Sequence, residues 1–244
     1  MAGKTQANRQ DVMVDVGEVS LEGTLTMPSD ASAVVAFAHG SGSSRFSSRN
    51  QFVAEQLNKG GLGTLLFDLL TADEHRVDRL TSELRFNIPM LARRLAGTVD
   101  WLGSQQATAG LPIGLFGAST GAAAALMVAA DRQDRVGAAV SRGGRPDLAG
   151  EALERVKAPT LLLVGGEDPV VLDLNRKACK ALNVEHHIEV IPNATHLFEE
   201  PGTLEQVARL ARSWFQHYLI DKNRFDVPPF ERLPSDDITI SKPR

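Results

Sequence analysis

Ser119 stands at the centre of Gly117-Ala118-Ser119-Thr120-Gly121, a Gly-x-Ser-x-Gly pentapeptide. The apolar run Pro112 to Phe116 precedes it and the alanine-rich stretch Ala122 to Ala130 follows it. Strand, tight turn and helix are the context in which such a serine becomes a nucleophile elbow, its hydroxyl lifted clear of the sheet edge. A serine hydroxyl attacks only when a neighbouring base takes its proton, and that base is normally a histidine oriented by a carboxylate. His196 lies in Asn193-Ala194-Thr195-His196-Leu197-Phe198, just after the last apolar run that reads as a strand. Asp168 follows the run Thr160 to Val164, with the adjacent Glu167 the other acid that could orient a histidine. The order Ser119, Asp168, His196, each just past a strand, predicts a triad for acyl transfer through serine. The plainer alternatives are a helix cap for Asp168 and an ordinary loop position for His196.

Attack on a carbonyl creates an oxyanion that needs preorganised donors. The N–H after the nucleophile, Thr120, is one; the loop His39-Gly40-Ser41-Gly42 supplies the other, with Ser41 the best placed. Arg142 and Arg145 follow the strand Val136 to Val140 and so stand near the end of the sheet where α/β folds bind ligands. Arginine recognises carboxylate or phosphate through a two-pronged contact, so either could hold an anionic group of the substrate. A structural ion pair is the competing role, and Arg45 is a weaker candidate for the same contact. The remaining histidines are poorer bases: His186 and His187 point to opposite faces of a strand, His217 is in a helix and His75 in a charged stretch. No pair has zinc-ligand spacing, so neither a metal nor a cofactor is implied.

On the His39-Gly40 loop, the Ser119 pentapeptide, Gly165-Gly166-Glu167-Asp168 and Thr195-His196, the sequence resembles an α/β-hydrolase of the dienelactone-hydrolase-like group. The resemblance covers roughly residues 18 to 220. It implies that Ser119, Asp168 and His196 act as nucleophile, acid and base. True dienelactone hydrolases carry cysteine as nucleophile, where this chain has Ser119. Its one cysteine, Cys179, falls in a helical pattern and reads as a small core residue. The expected reaction is therefore hydrolysis of a small or medium carboxylic ester, thioester or lactone, without a cofactor. Acyl transfer to another acceptor, or a non-catalytic binding module on the same fold, are the alternatives.

The elements that must position these residues are legible as alternating strands and helices, which predicts a mostly parallel sheet with helices on both faces. Val12 to Val16 and Val19 to Met27 read as an antiparallel edge pair around Gly17. Thr71 to Arg79 reads as a charged surface excursion, and Ser82 to Leu102 as a long helix disturbed near Pro89. Only about twenty residues join the strand at Val136 to the one at Thr160, too few for a large helical lid. Residues 11–220 are expected to form one domain, with a flexible tail at 1–10 and a C-terminal extension at 221–244.

The 244 residues carry a net charge of −4, with 43% hydrophobic and 23% charged residues. Charges of both signs are interspersed, so no footprint for nucleic acid stands out. No stretch is apolar for long enough to span a membrane, and the first ten residues lack a signal's apolar core. A single cysteine suits a reducing compartment, so a soluble cytoplasmic protein with a small-molecule ester as partner is expected. The sequence leaves the oligomeric state open.

Overall fold

The structure, a computed structural model, describes residues 7–220. Eight strands form one sheet in the order β1-β2-β4-β3-β5-β6-β7-β8. β1 (Ala7–Asp15), β2 (Ser20–Pro28) and β4 (Leu62–Phe67) pair antiparallel at one edge. β3 (Ala33–Ala38), β4, β5 (Ile113–Ala118), β6 (Val136–Arg142), β7 (Thr160–Gly165) and β8 (His186–Ile191) pair parallel. β3, β5 and β7 are buried along their whole length, which is why their sequences are near-continuous apolar runs rather than alternating ones. The helices are α1 (Ser48–Asn58), α2 (Ala72–Thr81), α3 (Ile88–Ser104), α4 (Thr120–Asp131), α5 (Pro169–Cys179) and α6 (Thr203–Phe215). The sheet divides the core in two. One half packs α3 and α4 around Leu95, Leu115 and Leu126; the other packs α1 and α6 around Phe37, Phe116 and Trp214. This is the α/β-hydrolase fold, with a parallel sheet, an antiparallel N-terminal edge and helices on both faces.

Three local readings change. β1 begins at Ala7, so residues 7–10, expected in the flexible tail, belong to the ladder, with Ala7 opposite Pro28. The rest of the expected tail, 1–6, and the extension 221–244 lie outside the described residues. The charged stretch after Thr71 is a helix: the Thr71 hydroxyl accepts from Glu74 N while the Glu74 carboxylate accepts from Thr71 N, a reciprocal cap. Finally, Pro89 starts α3 rather than disturbing it. Asn87 caps the Met90 N–H at 3.1 Å, and proline in the first turn sacrifices no helical hydrogen bond.

The β6–β7 connection holds only a short 3₁₀ segment, Pro146–Arg155, broken at Gly150 where φ is 53°. Among the described residues no large lid covers the sheet's carboxyl end. Among the described residues no helix is long and apolar enough to cross a membrane.

Candidate active site

β5 runs straight into α4 with Ser119 between them at φ 50°, ψ −122°. A side chain in this region is strained, and such strain persists only where the surroundings enforce it. Here they do. The Ser119 N–H donates to Arg142 O at 3.2 Å, and the Ser119 carbonyl accepts from Ala122 N and Arg145 N, both at 3.1 Å. The flanking glycines are steric necessities: a Cβ on Gly121 would overlap the Ala38 carbonyl, and one on Gly117 the Ala122 backbone. The alanines after the serine let α4 settle directly on the sheet, fully buried from Ala122 to Ala125.

Asp168 leaves β7 and performs two tasks with its two oxygens. Oδ1 accepts from Val171 N at 3.3 Å, capping α5, while Oδ2 lies 2.7 Å from His196 Nδ1. The capping and orienting roles therefore fall on one side chain, and the neighbouring Glu167 is exposed. An aspartate at Nδ1 requires the hydrogen on that nitrogen and leaves Nε2 to act as base. The loop carrying His196 is itself fixed. Gly165 has no side chain, so the Ala194 and Thr195 carbonyls can press against the end of β7. Ala194 O accepts from Glu167 N at 2.9 Å, the Thr195 hydroxyl bonds Glu200 at 2.6 Å, and Phe198 is buried in the core. The Asp168 side chain is 15% exposed and that of His196 39%, so the base faces solvent and substrate while its partner does not.

Ser119 and His196 flank the same turn, residues 142–145. Arg142 and Arg145 hold the serine backbone, while a Cβ on Gly143 would lie 3.6 Å from His196 Cε1. Ser119 Oγ and the imidazole share no hydrogen bond in this structure; in unliganded serine sites that contact commonly tightens only with substrate bound.

On the other side, the His39-Gly40-Ser41 loop abuts the elbow: a Cβ on Gly40 would meet the Ser119 Cβ at 3.1 Å. His39 is buried and its Nε2 accepts from Leu69 N at 3.0 Å, so Nδ1, 2.9 Å from Gly40 O, is the donor. Burial pushes its pKa down, which keeps the ring neutral as this pattern demands. The Ser41 N–H, expected to stand ready for an oxyanion, instead donates to Thr120 Oγ1 at 3.0 Å. Thr120 opens α4, so its own N–H is one of the four that a helix leaves without an internal partner.

The arginines separate sharply. Arg145, a candidate substrate contact from sequence, is gripped by Asp147 through both prongs, at 2.9 and 2.8 Å, and is a structural ion pair. Arg45 is likewise spent on Asp68 and Glu22. Arg142 is buried, and among the described residues its guanidinium makes no ion pair and no hydrogen bond. Burial pushes the Cys179 thiol up to about 11, which removes it as a nucleophile at neutral pH. His186 and His187 are both on β8, where His186 bonds Val184 O and His187 bonds Glu189. Among the described residues no group of three or more His, Cys, Asp or Glu could hold a metal.

Comparison with known proteins places the chain in a family. Two curated relatives from Mycobacterium tuberculosis, strains CDC 1551 / Oshkosh and ATCC 25618 / H37Rv, are 55% identical over 210 residues and carry a provisional phosphoribosyl transferase name. The match takes in 86% of this chain but only 46% of theirs, so the chain spans about half the length of these relatives. A dienelactone hydrolase from Anabaena variabilis ATCC 29413 is 55% identical, with a TM-score of 0.87 over 88% of this chain and 99% of that one. Est1E from Butyrivibrio proteoclasticus, at 16% identity, shares the fold with a TM-score of 0.71 over 85% of this chain and 98% of its own. The sequence model of the dienelactone hydrolase family matches residues 21–219, a span that includes Ser119, Asp168 and His196. The chain belongs to the dienelactone hydrolase family.

Proposed function

We propose that this protein is a serine hydrolase of small or medium carboxylic esters, thioesters or lactones. The observation that carries the reading is the 2.7 Å contact between Asp168 Oδ2 and His196 Nδ1, at the same end of the sheet as the strained Ser119 elbow. Ser119 Oγ attacks the acyl carbon while His196 Nε2 takes its proton. His196 then gives that proton to the departing alkoxide or thiolate, which leaves as the alcohol or thiol or, in a lactone, stays attached as the freed hydroxyl. Water enters, again through His196, and releases the acid from Ser119. Asp168 holds the imidazole in the tautomer that presents Nε2. The oxyanion is received by the Thr120 N–H and by Ser41 N–H, which exchanges the Thr120 hydroxyl for the substrate oxygen.

The family and the Anabaena neighbour support a hydrolase. A serine in place of cysteine, and the absence of a large lid, favour a broad ester substrate over interfacial lipid. Phosphoribosyl transfer is not carried over from the longer relatives, because this chain accounts for only 46% of each.

A fluorophosphonate probe tests the reading directly. Labelling is expected at Ser119 and lost in His196→Ala, with a matching loss of turnover on a panel of 4-nitrophenyl esters. Labelling at another residue, or none at all, would overturn the assignment.

A further inference from the structure

Arg142 is a charged group without a counter-charge, one residue from both parts of the acyl machinery. Its backbone carbonyl takes the Ser119 N–H, and Gly143 after it lies against His196. It ends β6 beside Ala118 of β5, and alternation along the strand puts its side chain with Ala138 and Val140 on the face covered by α1 and α6. The guanidinium carbon stands 6.0 Å from the centre of the Phe116 ring. The residue is 8% exposed, and among the described residues it makes no ion pair and no side-chain hydrogen bond; Nη1 is wholly buried.

The charge that bears on it is another cation, Arg49, in the first turn of α1. Burial and then this repulsion bring the Arg142 pKa down to about 10, which still leaves it charged at neutral pH. Arg49 gives one nitrogen to Glu199 at 3.1 Å, on the loop that follows His196, and its Nε is buried without a partner. The first turn of α1 holds no acidic residue, so the positive end of the helix dipole is also uncompensated there.

Arg94, buried to a similar depth, is paired with Glu74, and the half-buried Arg85 and Arg45 are paired with Asp78 and with Asp68 and Glu22. An unpaired buried cation is strongly unfavourable unless something supplies the missing charge. We propose that Arg142 and Arg49 form a binding site for an oxyanion group, a carboxylate or phosphate, behind the His196 loop at the start of α1. Where that group is part of the ester, the proposal rests on the Ser119 reading and makes the natural substrate an anionic ester. Where it is a free ion, the site stands independently of that reading.

The test has two arms on the full chain. The first compares kcat/KM for 4-nitrophenyl hydrogen glutarate and 4-nitrophenyl valerate, which share a leaving group and differ in charge. The wild type should favour the glutarate, and Arg142→Met should cut that preference by about 10- to 100-fold, the worth of hydrogen bonds to a charged group. Arg142→Lys should keep part of it. The second arm measures Tm in sodium phosphate against sodium chloride at equal ionic strength. Phosphate should raise the Tm of the wild type and of Ser119→Ala, but not that of Arg142→Met. Without phosphate, Arg142→Met should be at least as stable as the wild type, because methionine fills the space without a buried charge. An arginine with only a structural role would lose stability there. If Arg142→Met does not fold, Arg49→Gln is read for the same two losses. A phosphate shift with an unchanged ester preference supports the site with a free ion as its ligand. An unchanged preference together with no phosphate shift in the wild type overturns the proposal.

Discussion

The two sides of Ser119 are built on different principles. On the acid–base side, Asp168 is held by the helix it caps and already bonds His196 in the free protein. On the oxyanion side, the loop is fixed from behind by His39 and Leu69, yet the donor it presents, Ser41 N–H, is occupied by the Thr120 hydroxyl. On the proposed reading, one side is assembled before substrate arrives, and the other rests on a stand-in oxygen that substrate would displace. Both sides would then be preorganised, the second at the cost of an exchange of hydrogen bonds.

Ser119→Ala removes what both sides serve, so it sets the scale. Turnover of an activated ester should fall on the order of a million-fold, measured against a no-enzyme control. A loss of less than about a hundredfold would mean that neither side is acting on Ser119.

Asp168→Asn isolates the acid–base side. Asparagine caps a helix about as well as aspartate, so Tm should hardly move. It also favours the wrong histidine tautomer, and kcat should drop about ten-thousandfold. Asp168→Ala should lose the cap as well, for about 1 kcal/mol of stability. If Asp168→Asn lost Tm but kept activity, Asp168 would be a cap alone and the contrast between the sides would collapse.

Thr120→Val isolates the oxyanion side, because it removes the hydroxyl that receives Ser41 N–H and keeps the side-chain shape. We expect kcat to fall by up to about tenfold with KM little changed, and Thr120→Ser to restore it. Equal kcat for valine and threonine would show that the loop holds Ser41 without help from the elbow.

These contrasts were partly legible in the sequence. Ser119, Asp168 and His196 stand out because each is a reactive residue type immediately after an apolar run, and the sheet gathers strand ends at one place. The sequence favours Asp168 but leaves Glu167 open, since both follow β7; the contact with an imidazole 28 residues further on is made by Asp168. The Ser41–Thr120 bond joins residues 79 apart and leaves no local pattern. Arg142 and Arg145 look equivalent as neighbours of one strand, but Asp147 lies two residues beyond Arg145, while alternation turns Arg142 into the core. α2 carries no apolar helical stripe in its sequence, because its residues Val77 and Leu80 are exposed. Its order comes from the Thr71 cap and from Glu74 reaching Arg94 on α3. The first residues of β1 are exposed on both faces, so they carry no alternation to read.

The smallest expected effect sharpens the oxyanion side without touching chemistry. His39 is held neutral by burial, its Nε2 accepting from Leu69 N and its Nδ1 donating to Gly40 O. Its folded pKa therefore lies below the ordinary 6.5. As pH falls through that value, the unfolded chain binds a proton that the folded protein refuses, so stability must decrease on acidification and be fully present only above it. Thermal unfolding followed from pH 7.5 to 5.5 should show Tm falling, and the fall should be shallower in His39→Gln, whose side chain does not titrate. Charging the ring would also destroy the acceptor for Leu69 N and free the loop that carries Ser41. The acid loss of stability should therefore bring a fall in kcat that is steeper in the wild type than in His39→Gln. If the wild type and His39→Gln gave superimposable Tm and kcat profiles, His39 would be a passive filler, and the oxyanion loop would owe its position to Thr120 and the close approach of Gly40 alone.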